Sequence, residues 1–100
     1  MSHWKVKLTE EAELRFKLEF KQGLISVEDI KILKRWIDQV ESEGLEVAQK
    51  NITWRDHELN GKWKDYRSIS FSYSGRVIYR NVKNKVIVEV VRVTTKHDYK

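Results

Sequence analysis

The chain has 100 residues, with 20 Lys and Arg against 15 Asp and Glu for a net charge of +5, and no cysteine or proline. That length makes one domain around one core, and the missing cysteine excludes a disulfide framework, a thiolate nucleophile and a Cys-based zinc site. The apolar runs fall far short of the ~20 residues of a membrane helix, and the start MSHWKVKLTEE lacks the apolar stretch of a signal peptide, so a cytoplasmic protein is expected.

Trp4, Val6 and Leu8 alternate with Lys5 and Lys7, the period of a half-buried strand, which predicts an edge strand for a later sheet. Thr9 then opens a helix. Glu10 and Glu11 suit the positive end of its dipole, and Leu8, Ala12, Phe16 and Phe20 recur at four-residue spacing, with Leu14 and Leu18 widening the stripe up to Gly23. A second helix begins at Ser26, a good N-cap with Asp29 placed for a capping box. Ile30, Leu33, Ile37 and Val40 follow as its apolar stripe, with Trp36 a core residue beside them, and Glu43-Gly44 closes the helix.

Residues 45–56, LEVAQKNITWRD, show no clean period and are read as a helical turn or loop. Three strand-like runs follow, Tyr66 to Tyr73, Arg76 to Val82 and Lys85 to Thr94. They are separated by Ser74-Gly75 and Lys83-Asn84, connections short enough to predict an antiparallel meander. The order β-α-α-β-β-β gives an α+β domain, a two-helix hairpin packed on a small, mainly antiparallel sheet.

The charge is uneven. Residues 1–50 hold nine Lys and Arg against ten Asp and Glu, net −1, whereas residues 51–100 hold eleven against five, net +6. The sheet half therefore favours an anionic partner, nucleic acid first. No P-loop, GxGxxG or metal-ligand spacing is present, so the strong nucleotide and metal motifs are missing.

The segment from Asp56 to Arg67, DHELNGKWKDYR, resembles the RelE/ParE toxin superfamily, and most of all the His-x-Leu-x-Gly-x-Trp-Lys-x-Tyr-Arg segment of its YafQ-type branch. Arg76-Val77-Ile78-Tyr79 is similar to the superfamily's Arg-hydrophobic-hydrophobic-Tyr strand, and the run from Val93 to Tyr99 to its closing strand and catalytic tail. The resemblance implies a single RelE-like toxin domain over residues 1–100. Its implied function is that of a ribosome-dependent mRNA endonuclease of a toxin–antitoxin module. The implied partners are mRNA in the ribosomal A site and a cognate antitoxin, with no metal, other cofactor or membrane.

In such a cut the 2′-hydroxyl attacks the adjacent phosphate, which needs a general base, a general acid and cations for the phosphorane. The resemblance gives His97 and His57 the proton-transfer roles and Arg76 the phosphate. Tyr99 sits near an aromatic that the family uses to stack on or orient RNA, and Arg67, Lys96 and Arg92 are expected as further cations for the RNA backbone. Two of the YafQ-type groups are absent: Ser70 stands where that branch has a second histidine, and Ser74-Gly75 where it has Asp-Trp. Each residue also has an ordinary reading. His97 can be a solvated tail histidine, His57 a partner for loop backbone, and Arg67 and Arg92 sheet-surface charges. Tyr66 and Tyr79 read as core and Trp63 as packing. The alternatives in function are a ParE-like inhibitor of DNA gyrase and a non-catalytic RNA-binding domain, and a tail histidine paired with Arg76 separates the nuclease from both.

Overall fold

The structure, a computed structural model, describes residues 3–83 and 85–96. Strand β1 (Lys5–Leu8) leads into helices α1 (Glu10–Lys21), α2 (Val27–Glu43) and α3 (Leu45–Lys50) and a 3₁₀ turn (Ile52–Trp54). Then come β2 (His57–Glu58), a second 3₁₀ turn (Gly61–Trp63), β3 (Arg67–Ser70), β4 (Arg76–Asn81) and β5 (Ile87–Thr94). The five strands form one sheet in the order β1-β5-β4-β3-β2. β1 runs parallel to β5, with Val6 beside Val88, and every other pair is antiparallel. The expected edge strand and meander are both present. No helix among the described residues is long and apolar enough to cross a membrane.

The helix ends follow from their caps. The Thr9 hydroxyl accepts the Ala12 N–H at 3.1 Å, satisfying one of the amides that the first turn of α1 leaves over. Ser26 and Asp29 form the full capping box at the start of α2, each side chain accepting the other's backbone N–H at 3.1 and 2.9 Å. The segment without a clean period is more ordered than its sequence announces. Leu45 and Ala48 bury α3 against α2, and Trp54 is held by its indole N–H, which donates to Gln39 at 2.7 Å.

The core is one cluster. Ala12 from α1, Leu33, Trp36 and Val40 from α2, and Val77, Tyr79, Val88, Val90 and Val93 from the sheet are all buried in it, with Trp36 tilted against Tyr79 at 5.4 Å between ring centroids. The outer part of the α1 stripe differs from expectation. Leu14 and Leu18 are 60% and 55% exposed and Phe20 is 43% exposed, while Glu19 is only 2% exposed. Ala12, Phe16 and Glu19 lie at the i, i+4, i+7 positions of one helical face, and Leu14 and Leu18 point about 200° away from Ala12 and Phe16. The expected strand Tyr66 to Tyr73 is also shorter. It pairs only over Arg67–Ser70, because Phe71 N–H donates to the Gly75 carbonyl at 3.1 Å and closes residues 71–75 as a loop.

Glu19 is buried because β5 gives it partners. Thr94 and Thr95 hydroxyls donate to its carboxylate at 2.6 and 2.7 Å and the Thr95 N–H at 2.8 Å, with Arg15 at 3.7 Å. Burial alone would push this carboxyl up, but the three hydrogen bonds and the Arg15 charge outweigh it and hold the group below its ordinary value of 4.5. A depressed folded pKa adds stability that is complete above the unfolded value and lost as pH falls through the folded one. Urea unfolding across a pH series is therefore expected to show a loss of stability below about pH 4.5 that Glu19→Gln flattens. Glu19→Ala, which strands buried donors, should cost about 1–3 kcal/mol at neutral pH.

Candidate functional site

The connection from the helices into the sheet is anchored by Asp56, whose side chain has no exposure to solvent. Its carboxylate accepts Nε of Arg67 at 2.5 Å and the Tyr79 hydroxyl. Gln49 on α3 donates to the same hydroxyl at 3.2 Å, so three elements meet at one point. Burial and then the hydrogen bond and charge of Asp56 push the Tyr79 phenol well above its ordinary value, and it stays a protonated donor. Burial would lower the Arg67 guanidinium, but Asp56 more than offsets it. Asp56 turns inward and its two neighbours are both exposed.

Those neighbours are Arg55 and His57. Arg55 ends the first 3₁₀ turn in the left-handed region, φ 52° and ψ 43°, a conformation that favours glycine or asparagine. Its carbonyl lies 2.8 Å from His57 Nδ1. A carbonyl only accepts, so Nδ1 carries the hydrogen and Nε2 of the neutral ring keeps a free lone pair. The backbone-bonding role weighed for His57 is thus present, and it leaves the other nitrogen available.

Arg76 starts β4 beside Thr94 of β5. Its Nη1 donates to the carbonyls of Ser72, Tyr73 and Gly75 at 3.2, 3.2 and 2.9 Å. The Gly75 N–H in turn donates to Ser72 Oγ at 2.8 Å. The loop is packed as tightly as it is bonded, since a Cβ on Gly75 would meet the Phe71 ring and Ser72 Oγ at 2.5 Å. Phe71 is buried, and Tyr73 is 99% exposed. Between this loop, the 3₁₀ turn and Ile32 of α2 opens a cleft of about 620 Å³, lined by Arg55, Arg76, Ser70, Ser72, Tyr73, Thr53, Trp54 and Phe71. A concavity lined by two arginines and several hydroxyl-bearing residues suits a phosphodiester.

Of the other sequence candidates among the described residues, Arg67, Arg92 and Lys96 do not line that cleft. Arg67 is committed to Asp56 and, at 3.4 Å, to Glu58. Arg92 stands across from Ile78 with its guanidinium 5.4 Å from the Trp63 ring centre, and Trp63 meets Tyr66 edge-on at 5.3 Å. Trp63 and Tyr66 are half-buried in this group, and Tyr79 is fully buried, as a core residue should be. Lys96 is exposed just past Thr94, the residue beside Arg76, and its N–H donates to Thr94 Oγ1 at 3.0 Å. His97 and Tyr99 lie outside the described residues. Among the described residues, no group of three or more His, Asp or Glu is arranged to hold a metal ion.

Solved structures share this architecture. YafQ from E. coli strain BL21(DE3) is 19% identical and superposes with a TM-score of 0.71 over 93% of both chains. A metal-bound toxin from Helicobacter pylori is 18% identical, with a TM-score of 0.73 over 97% of this chain and 99% of that one. The chain has the fold of YafQ and YoeB. YoeB from Staphylococcus aureus, solved as a dimer, reaches 0.68 at 12% identity over 93% of this chain and 97% of that one. YafQ also appears in the E. coli DinJ–YafQ toxin–antitoxin complex, which matches at 20% identity, 0.67, over 91% of this chain and 90% of that one. No protein-family model and no curated protein matches the sequence.

Within this YafQ-like fold, sequence reading singled out Arg76, which lines the cleft, and His57, which does not, and passed over Arg55, Asp56 and Tyr73. Arg55 and Asp56 sit in the aperiodic segment, and Tyr73 lay inside an expected strand; only the Ser72-Tyr73-Ser74-Gly75 run hinted at a loop there. The anchor is open to test. Asp56→Ala leaves the Arg67 guanidinium and the Tyr79 hydroxyl without their buried partner, and urea denaturation should show a loss of about 3–5 kcal/mol.

Proposed function

We propose that the protein is an mRNA-cleaving toxin of a toxin–antitoxin module, acting on mRNA in the ribosomal A site by metal-independent attack of a 2′-hydroxyl on the adjacent phosphate. The observation that carries this reading is the basic cleft, with Arg55 and Arg76 on its walls, in a chain whose fold is shared with YafQ. Arg76 offers the scissile phosphate its remaining N–H groups while Nη1 holds the loop. His57 presents Nε2 as a base, fixed by the Nδ1 bond. His97 serves as the second proton-transfer group and Tyr99 as a stacking aromatic. The register supports a tail site, because Arg76 pairs with Thr94 and three residues of chain span at most about 11 Å. Lys96, Arg67 and Arg92 add positive charge along the RNA path.

An antitoxin partner fits the same reading, since YafQ is found in a toxin–antitoxin complex. The chain is too sparse in catalytic groups for a self-sufficient nuclease, so ribosomes are expected to be required and naked RNA to be cut poorly.

Primer extension on ribosome-bound mRNA tests the assignment. His97→Ala should slow single-turnover cleavage by about 10²- to 10⁴-fold, the usual worth of general acid–base help. Arg76→Ala should cost about 10²- to 10³-fold as a lost charge stabiliser. Wild-type rates in both variants would remove the nuclease reading in favour of gyrase inhibition or plain RNA binding.

A further inference from the structure

The proposed cleavage needs the substrate nucleotide to be held as well as cut, and the cleft carries two residues that the catalytic assignment does not use. Arg55 lines the cleft and is exposed, and the described residues offer its guanidinium no hydrogen bond or ion pair. It is also the wrong residue for its backbone: at φ 52° glycine or asparagine would be at ease. A strained arginine without a local partner points to a role for its side chain. The buried Asp56 carboxylate next to it fixes the chain there, so the guanidinium starts from a rigid base.

Tyr73 stands on the same cleft and is 99% exposed. Its loop is not loose. Arg76 binds the carbonyls on both sides and that of Tyr73 itself, Ser72 accepts the Gly75 N–H, and the Phe71 ring fills the space that a side chain at position 75 would need. A tyrosine in a locked loop, bare to solvent beside two guanidiniums, presents a preorganised ring face that stacks on a base with little loss of entropy.

We propose that Arg55 and Tyr73 form a nucleotide subsite of this cleft, in which the Tyr73 ring stacks on one RNA base and Arg55 pairs with an adjoining phosphate. The ligand is single-stranded RNA, because a base must leave its helix to reach an aromatic on a loop tip. Arg76 is then a positioning residue for Tyr73 as well as a phosphate ligand. This rests on the nucleic-acid reading of the cleft, and it does not require that the strand be cut.

The test uses the full chain and a 2′-O-methyl RNA trinucleotide, which has no 2′-hydroxyl to attack and so cannot be cleaved. Backbone amide shifts in NMR titration should move over residues 53–55 and 70–76. Tyr73→Ala should bind about 5- to 150-fold more weakly, the range of a lost base–aromatic stack, while Tyr73→Phe keeps the ring and binds like wild type. Arg55→Ala should weaken binding and reduce the slope of log K against log salt by about 0.7, the value for one phosphate contact on a single strand. An abasic trinucleotide should keep its dependence on Arg55 and lose its dependence on Tyr73.

The subsite is overturned if the trinucleotide leaves the cleft amides unmoved, if its shifts fall around Trp63 and Arg92 instead, or if both alanine variants bind like wild type. Cleavage on ribosomes is scored separately. A wild-type protein that cuts nothing yet binds the trinucleotide through both residues loses the nuclease reading and retains the subsite.

Discussion

A carboxylate with no access to water fixes the geometry of the whole basic half. Asp56 joins Arg67 of β3, Tyr79 of β4 and, through the Tyr79 hydroxyl, Gln49 of α3. A buried charge is tolerated only when its partners are close and its lone pairs are used, so the chain around residue 56 has one place to sit. That constraint sets what lies on either side: Arg55 turns toward the cleft, and His57 turns back on the Arg55 carbonyl with one ring nitrogen left over.

A second buried carboxylate does the corresponding work at the far end of the sheet. Glu19 takes three hydrogen bonds from Thr94 and Thr95, so α1 determines where β5 stops. β5 stops beside Arg76. The two ties differ in origin: Glu19 reaches from α1 to the end of β5, whereas Asp56 sits in the connection that follows α3 and bonds to β3 and β4.

Local chemistry was what the sequence displayed well. Thr9, Ser26 with Asp29, and Gly44 announced the helix limits, because caps act over three or four residues. The alternation of Trp4, Val6 and Leu8 announced β1 for the same reason. Long-range chemistry was not displayed. Nothing near Glu19 shows that its partners are 75 and 76 residues away, so an apolar stripe with Leu14 and Leu18 looked more natural than one with a buried acid. Arg76 was legible through a family resemblance, but its hold on the Tyr73 loop was not, since that depends on which carbonyls a folded loop turns inward. Arg55 gave no signal, because a residue's backbone angle leaves no trace in its own letter.

The order of strands has a consequence for the chain's birth. β5 lies inside the sheet, hydrogen-bonded to β1 on one side and β4 on the other, and it follows the other four strands in the sequence. Until it emerges, β1 has no neighbour to pair with, Glu19 has no threonines to receive and the core lacks Val88, Val90 and Val93. Pairings of such long sequence separation form late in folding. The domain thus assembles as a unit only once β5 has been made, and a chain cut before residue 87 lacks both the β1–β5 and the β4–β5 pairings that close the sheet.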